Sequence, residues 1–167
     1  MTSRGDVIVL ERSGSTVIKY TADAQQIRLI KLSSDIESAW SNHAIEISTG
    51  TSVLISGTYK TKDYIAHPAV FEVSFEGHII KSFDLLSTSC PYNIATDADG
   101  NVYVPDRQYS RVLILDSRLN LRRAIQMTNN QNFVSYSQET KQLIVVQYHN
   151  SHPDEISKTI ISIITLQ

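Results

Sequence analysis

Residues 90–106 read CPYNIATDADGNVYVPD, and this stretch decides how the rest of the chain is interpreted. With the residues that follow, it contains four short apolar runs separated by turn residues, namely Ile94–Thr96, Val102–Val104, Val112–Leu115 and Leu121–Ile125. Asp99-Gly100 predicts a tight hairpin between the first two runs, because glycine tolerates positive φ. Four antiparallel strands in about 37 residues are the size of one β-propeller blade.

An internal repeat supports this interpretation. Residues 7–32 align with residues 102–127 without a gap when they are shifted along the chain. Val7 falls on Val102, Val17 on Val112 and Ile30 on Ile125. Repetition at the scale of blades predicts that 7–32 forms the second, third and fourth strands of another blade.

Composition limits the class of protein. The chain has 167 residues, with 15 Lys and Arg against 17 Asp and Glu, so its net charge of −2 does not favour nucleic acid or an anionic membrane. Its single cysteine, Cys90, cannot form an internal disulfide, and we expect a reducing, cytoplasmic location. No apolar run approaches the roughly 20 residues of a membrane span, and no signal peptide is recognisable at the N-terminus.

Strand and turn signals predict an all-β chain built from four-stranded antiparallel blades. We expect one domain over 1–167, composed of a partial blade at 6–32, a blade at 42–85, a blade at 91–127 and a partial blade at 132–167. The first partial blade lacks its first strand and the last lacks its fourth. The chain is therefore predicted to be an incomplete arc of a larger propeller.

The stretch at 91–112 resembles an NHL repeat, in which proline precedes a strand ending in Asp, Asp-Gly-Asn forms a turn, and Arg-Val opens a later strand. The residues that match in order and spacing are Pro91, Asp97, Asp99, Gly100, Asn101, Val104, Asp106, Arg111 and Val112. The departures are Asn93 for the usual Gly, Pro105 for the usual Ala, and Gln108-Tyr109-Ser110 for Gly-Asn-Asn. The resemblance implies a ring of roughly six blades, of which this chain would supply about four.

A ligand face is predicted where second strands join third strands, because the two long loops, 58–68 and 148–158, occur there together with the turn at 107–110. Binding groups concentrate on loops held by a rigid scaffold. The candidates are Tyr59, Lys60, Lys62, Tyr64, His67, Arg107, Tyr109, His149 and His152. The alternative is that these are ordinary solvated loop residues.

Other reactive side chains are predicted to be structural. Asp106 and Arg111 lie at the end of one strand and the start of the next, so they are expected to pair across the turn. His149 and His152 are three residues apart, but zinc needs three or four converging ligands. We predict no catalytic residue, no metal site and no cofactor.

Two enzyme families resemble the chain in part. Gluconolactonase-like propellers hold a divalent metal near a motif similar to Pro-Asn-Gly, but Pro91-Tyr92-Asn93 places tyrosine at the ligand position. Amidating lyases depend on histidine and metal and are secreted with disulfides, which one cysteine does not fit. A non-enzymatic function is therefore predicted, with a gluconolactonase-like metal-dependent hydrolase as an alternative.

The resemblance to NHL propellers implies binding. In tripartite-motif proteins such a propeller selects the partner, while a separate RING domain is the ubiquitin ligase. This chain has no Cys/His zinc pattern, so a ligase activity would need other sequence. Some NHL propellers bind RNA, and an arginine-rich blade is present, containing Arg107, Arg111, Arg118, Arg122 and Arg123. The pI of about 6.2 nevertheless favours a protein partner over RNA.

Self-association is a further expectation. The predicted arc leaves strand edges at Val7–Glu11 and at Thr159–Thr165. The second segment is rich in β-branched residues, uncharged and free of proline, the composition of segments that pair with other chains.

Overall fold

The computed structural model describes residues 7–11, 16–32, 43–46, 51–60, 66–86, 91–149 and 158–166. The chain divides into two compact units, Met1–Cys90 and Pro91–Gln167. In the described residues, every regular element is a β-strand except a 3₁₀ turn at Arg107–Tyr109. The predicted all-β class is confirmed, whereas a single domain over 1–167 stays a prediction.

The first unit contains two antiparallel sheets. The three-stranded sheet has the order β1-β2-β3, with β1 at Val7–Leu10, β2 at Thr16–Tyr20 and β3 at Gln26–Lys31. The four-stranded sheet has the order β4-β5-β6-β7, with β4 at His43–Glu46, β5 at Ser52–Lys60, β6 at Ala66–Ser74 and β7 at Ile79–Asp84. Consecutive strands are neighbours in both sheets, as in propeller blades.

The second unit also contains two antiparallel sheets. The four-stranded sheet has the order β11-β10-β9-β8, with β8 at Ala95–Thr96, β9 at Val102–Asp106, β10 at Arg111–Leu115 and β11 at Leu121–Gln126. The three-stranded sheet has the order β12-β13-β14, with β12 at Asn130–Ser137, β13 at Gln142–His149 and β14 at Lys158–Thr165. The apolar runs that follow Cys90 therefore form one four-stranded blade.

The repeat predicted between 7–32 and 102–127 is present in the backbone. Val7 pairs with Tyr20 in the first unit, and Val102 pairs with Leu115 at the corresponding positions of the second. Bulges also correspond, between Lys19 and Tyr20 in β2 and between Ile114 and Leu115 in β10. Similar local sequence therefore builds the same strand register twice.

A five-residue turn closes hairpins in both units, at 21–25, 74–78, 97–101 and 116–120. In each turn the first and fifth residues are joined by a backbone hydrogen bond, and the N–H of the fourth donates to the carbonyl of the first. The side-chain oxygen of the first residue also accepts the N–H of the fifth. The fourth residue has positive φ in every case, being Ala24, Gly77, Gly100 or Leu119. This geometry explains Thr, Ser or Asp at the first position.

Each unit has its own apolar core. In the first unit, the buried core residues include Val17, Ile30, Leu32, Val53, Ile55, Ala69, Phe71 and Val73. In the second, they include Tyr103, Val112, Ile114, Val134, Leu143 and Val145. Both cores combine residues from a three-stranded and a four-stranded sheet, so neither sheet buries its apolar face alone.

Two primary amides join the sheets of the second unit. The side chain of Asn93 donates to the carbonyl of Val134 at 2.6 Å and accepts the N–H of Val134 at 2.9 Å. In the opposite direction, the side chain of Gln138 donates to the carbonyl of Thr96 at 3.2 Å and accepts the N–H of Ala98 at 3.0 Å. Each amide reproduces the donor and acceptor of a strand neighbour, so it satisfies backbone groups where two blades meet.

The prediction of long loops at 58–68 and 148–158 is wrong at their ends. Thr58, Tyr59 and Lys60 pair with residues 66–68 as a continuation of β5 and β6. Similarly, β13 extends to His149 and β14 begins at Lys158. Pro68 takes part in the sheet through its carbonyl, which accepts the N–H of Leu85 at 2.8 Å. The intervening residues 61–65 and 150–157 lie outside the described residues.

Two glycines in equivalent turns provide a test of the turn geometry. We expect Gly100→Ala to cost about 1–2 kcal/mol because φ is +81°. At Gly77 φ is +90°, and an added Cβ would also lie 1.8 Å from the carbonyl oxygen of Lys31. Gly77→Ala should cost about 1–3 kcal/mol more, since the backbone must shift. Urea denaturation measures both losses, and equal losses would contradict the close approach to Lys31.

The amide contacts are tested by truncation. Asn93→Ala leaves the buried Val134 N–H and carbonyl without these partners, and we expect a loss of about 2 kcal/mol in the free energy of unfolding. Gln138→Ala serves as the comparison, because the bonds of Gln138 are exposed and water replaces them at a cost of about 1 kcal/mol or less. A larger loss for Gln138→Ala than for Asn93→Ala, by chemical denaturation, would refute this ranking.

Candidate functional site

The second unit has an open cavity of about 570 Å³ at the end of its sheets where the hairpin turns 97–101 and 138–141 lie. We call it the hairpin-end cavity. Its polar lining includes three cations, two carboxylates and two tyrosines: Arg122, Arg123, Lys141, Asp97, Asp99, Tyr103 and Tyr136. Ile114 and Leu166 add apolar wall. A concave surface with a few convergent polar groups is typical of a binding site.

The carboxylate of Asp97 is buried at the base of this lining. Its Oδ1 accepts the N–H groups of Asp99 at 3.0 Å and Asn101 at 2.8 Å. Its Oδ2 accepts the side-chain amide of Asn101 at 2.7 Å and the hydroxyl of Tyr103 at 2.7 Å. Four donors satisfy the buried charge. Asp97 is therefore committed to shaping the turn and holding Tyr103.

The two tyrosines form a stacked pair. The rings of Tyr103 and Tyr136 have centroids 5.3 Å apart and an interplanar angle of 10°. Burial raises the pKa of Tyr103 far above its ordinary value, and the hydrogen bond to Asp97 and the charge of Asp97 raise it further. Burial also raises the pKa of Tyr136, with smaller contributions from Asp97 and Asp99. Both phenols are neutral at physiological pH, so they offer ring surface rather than a nucleophile.

Among the described residues, the three cations of the cavity lack the ion-pair partners that would hold them in the fold. Within the described parts of the chain, Arg122, Arg123 and Lys141 make no ion pair with a carboxylate. By contrast Arg28, which occupies the repeat position of Arg123, lies over the ring of Phe75 at 4.3 Å. The cavity therefore presents cationic groups that the fold leaves available to a ligand.

The sequence candidates of the first unit lie at the end of the β5–β6 hairpin. Tyr59 and Lys60 are the last two residues of β5, and His67 pairs with Tyr59 in the strand register. His67 is half-buried and has further contacts. Lys62 and Tyr64 lie outside the described residues. The backbone thus places three of the candidates together at one strand end.

The candidates of the second unit lie at the end opposite the cavity. Arg107 and Tyr109 belong to the 3₁₀ turn between β9 and β10, and His149 ends β13. Ser110 closes that turn with φ of 47°. His152 lies outside the described residues. These residues stay candidates for a ligand face, and the cavity is a separate feature.

Asp106 and Arg111 meet beside the same 3₁₀ turn. The Nε of Arg111 lies 2.8 Å from the Oδ2 of Asp106, whose side chain is buried. The guanidinium of Arg111 also lies 4.9 Å from the ring centroid of Tyr109. Directly opposite pairing of residues 106 and 111 in β9 and β10 brings the charges together. This geometry holds the turn that carries Arg107 and Tyr109.

The arginines grouped by sequence separate in the structure. Arg107 and Arg111 flank the β9–β10 turn, whereas Arg118, Arg122 and Arg123 lie at or beside the β10–β11 turn at the other end of the sheet. Arg111 is already paired with Asp106. The blade therefore has no single surface that joins all five arginines.

The sequence did not reveal the hairpin-end cavity. In the sequence, Asp97 belongs to the NHL-like pattern and Arg122 and Arg123 to the arginine-rich blade, while Tyr136 and Lys141 carry no signal. The described residues contain no group of three His, Cys, Asp or Glu side chains placed to hold a metal ion. They also contain no helix long and apolar enough to cross a membrane.

The burial of Tyr103, together with its hydrogen bond to Asp97, predicts an alkaline dependence of stability. Above about pH 10 the unfolded chain loses the Tyr103 proton while the folded chain keeps it, so stability falls as pH rises, by up to about 1.4 kcal/mol per pH unit. Tyr103→Phe should remove this part of the slope and cost about 1.5–3 kcal/mol at pH 7, because Asp97 loses a donor. Urea titrations between pH 8 and 11 measure both effects. Tyr109→Phe, at an exposed ring, is the control, and an unchanged slope in Tyr103→Phe would disprove the assignment.

No protein-family model matches the sequence, and no curated protein matches it either. Among solved structures, the chain is similar to hydrazine synthase of Kuenenia stuttgartiensis, with a TM-score of 0.67 and 15% identity over 99% of this chain and 48% of that one. It is similar to a catalytically inactive virginiamycin B lyase of Staphylococcus aureus with quinupristin, with a TM-score of 0.63 and 11% identity over 99% of this chain and 53% of that one.

A protein of unknown function from Bacteroides caccae is also similar, with a TM-score of 0.58 and 13% identity over 95% of this chain and 58% of that one. The chain spans about half the length of these structures. Their identity to it is low, so the likeness concerns the fold alone. The chain has the antiparallel blades of a β-propeller protein.

Proposed function

We propose that this chain is a non-catalytic binding module, similar to an NHL propeller, that holds an acidic segment of a protein partner in the hairpin-end cavity. One observation carries the proposal: the cavity's buried acid is saturated while its cations are not. Asp97 accepts four hydrogen bonds, whereas Arg122, Arg123 and Lys141 have no carboxylate partner in the described chain.

The chemistry of the lining supports binding over catalysis. A general base needs an accessible acceptor, and both oxygens of Asp97 are occupied by donors of the turn and by Tyr103. The raised pKa values of Tyr103 and Tyr136 keep both phenols protonated. Guanidinium groups bind carboxylates with two parallel hydrogen bonds, so Arg122 and Arg123 suit glutamate or aspartate side chains.

The NHL resemblance at 91–112 supports the class of module. In a tripartite-motif ubiquitin ligase such a module would select the substrate, with the RING domain on other sequence. A cytoplasmic location belongs to the same proposal. The enzymes among the similar structures do not supply a reaction for this chain, because the likeness extends to the fold only.

RNA is the second candidate ligand. It is favoured by the 3₁₀ turn at the end of the blade opposite the cavity, where the ring of Tyr109 lies beside Arg111 and the turn also carries Arg107. Arginine and an aromatic ring together bind phosphate and stack bases. Binding of this kind must weaken steeply as salt rises, because counterions are released from the phosphates.

Fluorescence anisotropy with two labelled probes, a hexaglutamate peptide and a hexauridylate of similar charge, separates these ligands at low and moderate salt. We expect the peptide to bind and the double variant Arg122→Gln/Arg123→Gln to weaken it about ten-fold or more, as two charged contacts are lost. Arg28→Gln changes the equivalent arginine of the repeat and should leave binding unaltered.

Three outcomes contradict the proposal. Peptide binding that is indifferent to Arg122→Gln/Arg123→Gln would remove the cavity from the function. Absence of binding to both probes at low salt would reject the ligand class. Salt-sensitive binding of the hexauridylate alone, lost in Arg107→Ala, would establish RNA as the ligand instead.

A further inference from the structure

The last strand of the second unit differs from the other outer strands. Among the described strands, β3, β7, β11 and β14 each stand at one end of the order of their sheet. The first three carry charged residues, namely Arg28 and Lys31 in β3, Lys81 and Asp84 in β7, and Arg122 and Arg123 in β11. Charges on an edge strand discourage pairing with another chain. The one charged residue of β14 is Lys158, at its first position, and Thr159–Thr165 have none.

The exposed side of β14 is apolar. Ile161 and Ile163 are 64% and 61% exposed, the largest values among the isoleucines of the described residues. On the other side, Ile164 packs against the core of the unit. The hydroxyl of Ser162 accepts the side-chain amide of Gln147 at 2.6 Å, which holds the middle of β14 against β13. An ordered, uncharged edge therefore displays two isoleucines to solvent.

The sequence of this edge is a palindrome. Residues 159–165 read TIISIIT, and Ser162 is the centre. If two copies pair antiparallel with Ser162 opposite Ser162, Ile161 of one copy faces Ile163 of the other. Ile160 then faces Ile164, and Thr159 faces Thr165. Each residue meets its own type on the correct side of the sheet, because directly opposed residues share a face.

We propose that β14 is a dimerisation edge, and that its occupant is β14 of a second copy of this chain, related by a two-fold axis through Ser162. The arrangement joins two three-stranded sheets into one continuous antiparallel sheet. A two-fold interface requires a surface that complements itself. The palindrome supplies like-with-like pairing, and the lack of charge means that no residue between Thr159 and Thr165 repels its counterpart. This inference is independent of the hairpin-end cavity.

The register is tested with paired charges. In Ile161→Lys/Ile163→Lys, each lysine faces a lysine of the second copy. The dissociation constant of the dimer should therefore rise about ten-fold or more. In Ile161→Lys/Ile163→Glu, opposite charges face each other in both pairs, and the dimer should persist. Ile80→Lys, at a 56% exposed isoleucine of β7, is the control that adds a charge elsewhere.

Sedimentation velocity at several concentrations up to about 100 μM gives the mass of the unaltered chain and of each variant. Circular dichroism confirms that each variant is folded, and hydrogen exchange of the β14 amides at low and high concentration gives a second measurement on the unaltered chain. We expect a dimer whose β14 amides become slower to exchange as concentration rises.

Several results would overturn the proposal. A chain that stays monomeric throughout this range, with unchanged β14 exchange, would show that another segment covers the edge or that it stays unpaired. Open-ended polymers would exclude a closed two-fold pair. A folded Ile161→Lys/Ile163→Glu variant that is as monomeric as Ile161→Lys/Ile163→Lys would exclude the Ser162-centred register.

Discussion

The hydrogen bonds to the buried carboxylate of Asp97 organise the second unit. A carboxylate removed from water must be surrounded by donors, and the backbone around Asp97 provides them only in the five-residue turn that reverses the chain between β8 and β9. The fourth donor is the hydroxyl of Tyr103, one residue into β9. The same charge therefore sets the turn, the position of a core tyrosine and the base of the cavity.

This arrangement also decides what the cavity offers. Tyr103 is held in its neutral form, and its ring supports Tyr136 of the neighbouring sheet. The Asp97 carboxylate and the Tyr103 hydroxyl are thus occupied by structure, whereas Arg122, Arg123 and Lys141 have no carboxylate partner in the described chain. In the first unit Arg28, the arginine equivalent to Arg123, lies over the ring of Phe75. The repeat conserves the backbone of the blade, while side-chain differences determine which copy presents cations.

The junction of blades in the second unit depends on polar contacts as well as on the apolar core. Asn93 and Gln138 each offer a donor and an acceptor to backbone groups across the junction, so the two sheets are joined at Val134 in β12 and again just after the end of β12. Such amides fix register, which the apolar contacts of Tyr103, Val134 and Val145 do not do by themselves. At the outer side, β14 is held by strand pairing with β13 and by the side chain of Gln147 in that strand, while its residues Thr159–Thr165 are uncharged.

The sequence by itself determined the local architecture: the hairpin at Asp99-Gly100, the four strands after Cys90 and the repeat of 7–32 in 102–127. These features depend on turn chemistry and apolar alternation, which act between residues close in the chain. The loop predicted at 58–68 is wrong for Thr58–Lys60 and Pro68, because their pairing depends on the neighbouring strand. Only tertiary structure separated the five arginines, gave Asn93 its partner Val134, and brought Tyr136 and Lys141 to the cavity that Asp97 also lines. These residues are about 40 positions apart in the chain, where the packing of one sheet on another decides which side chains come together.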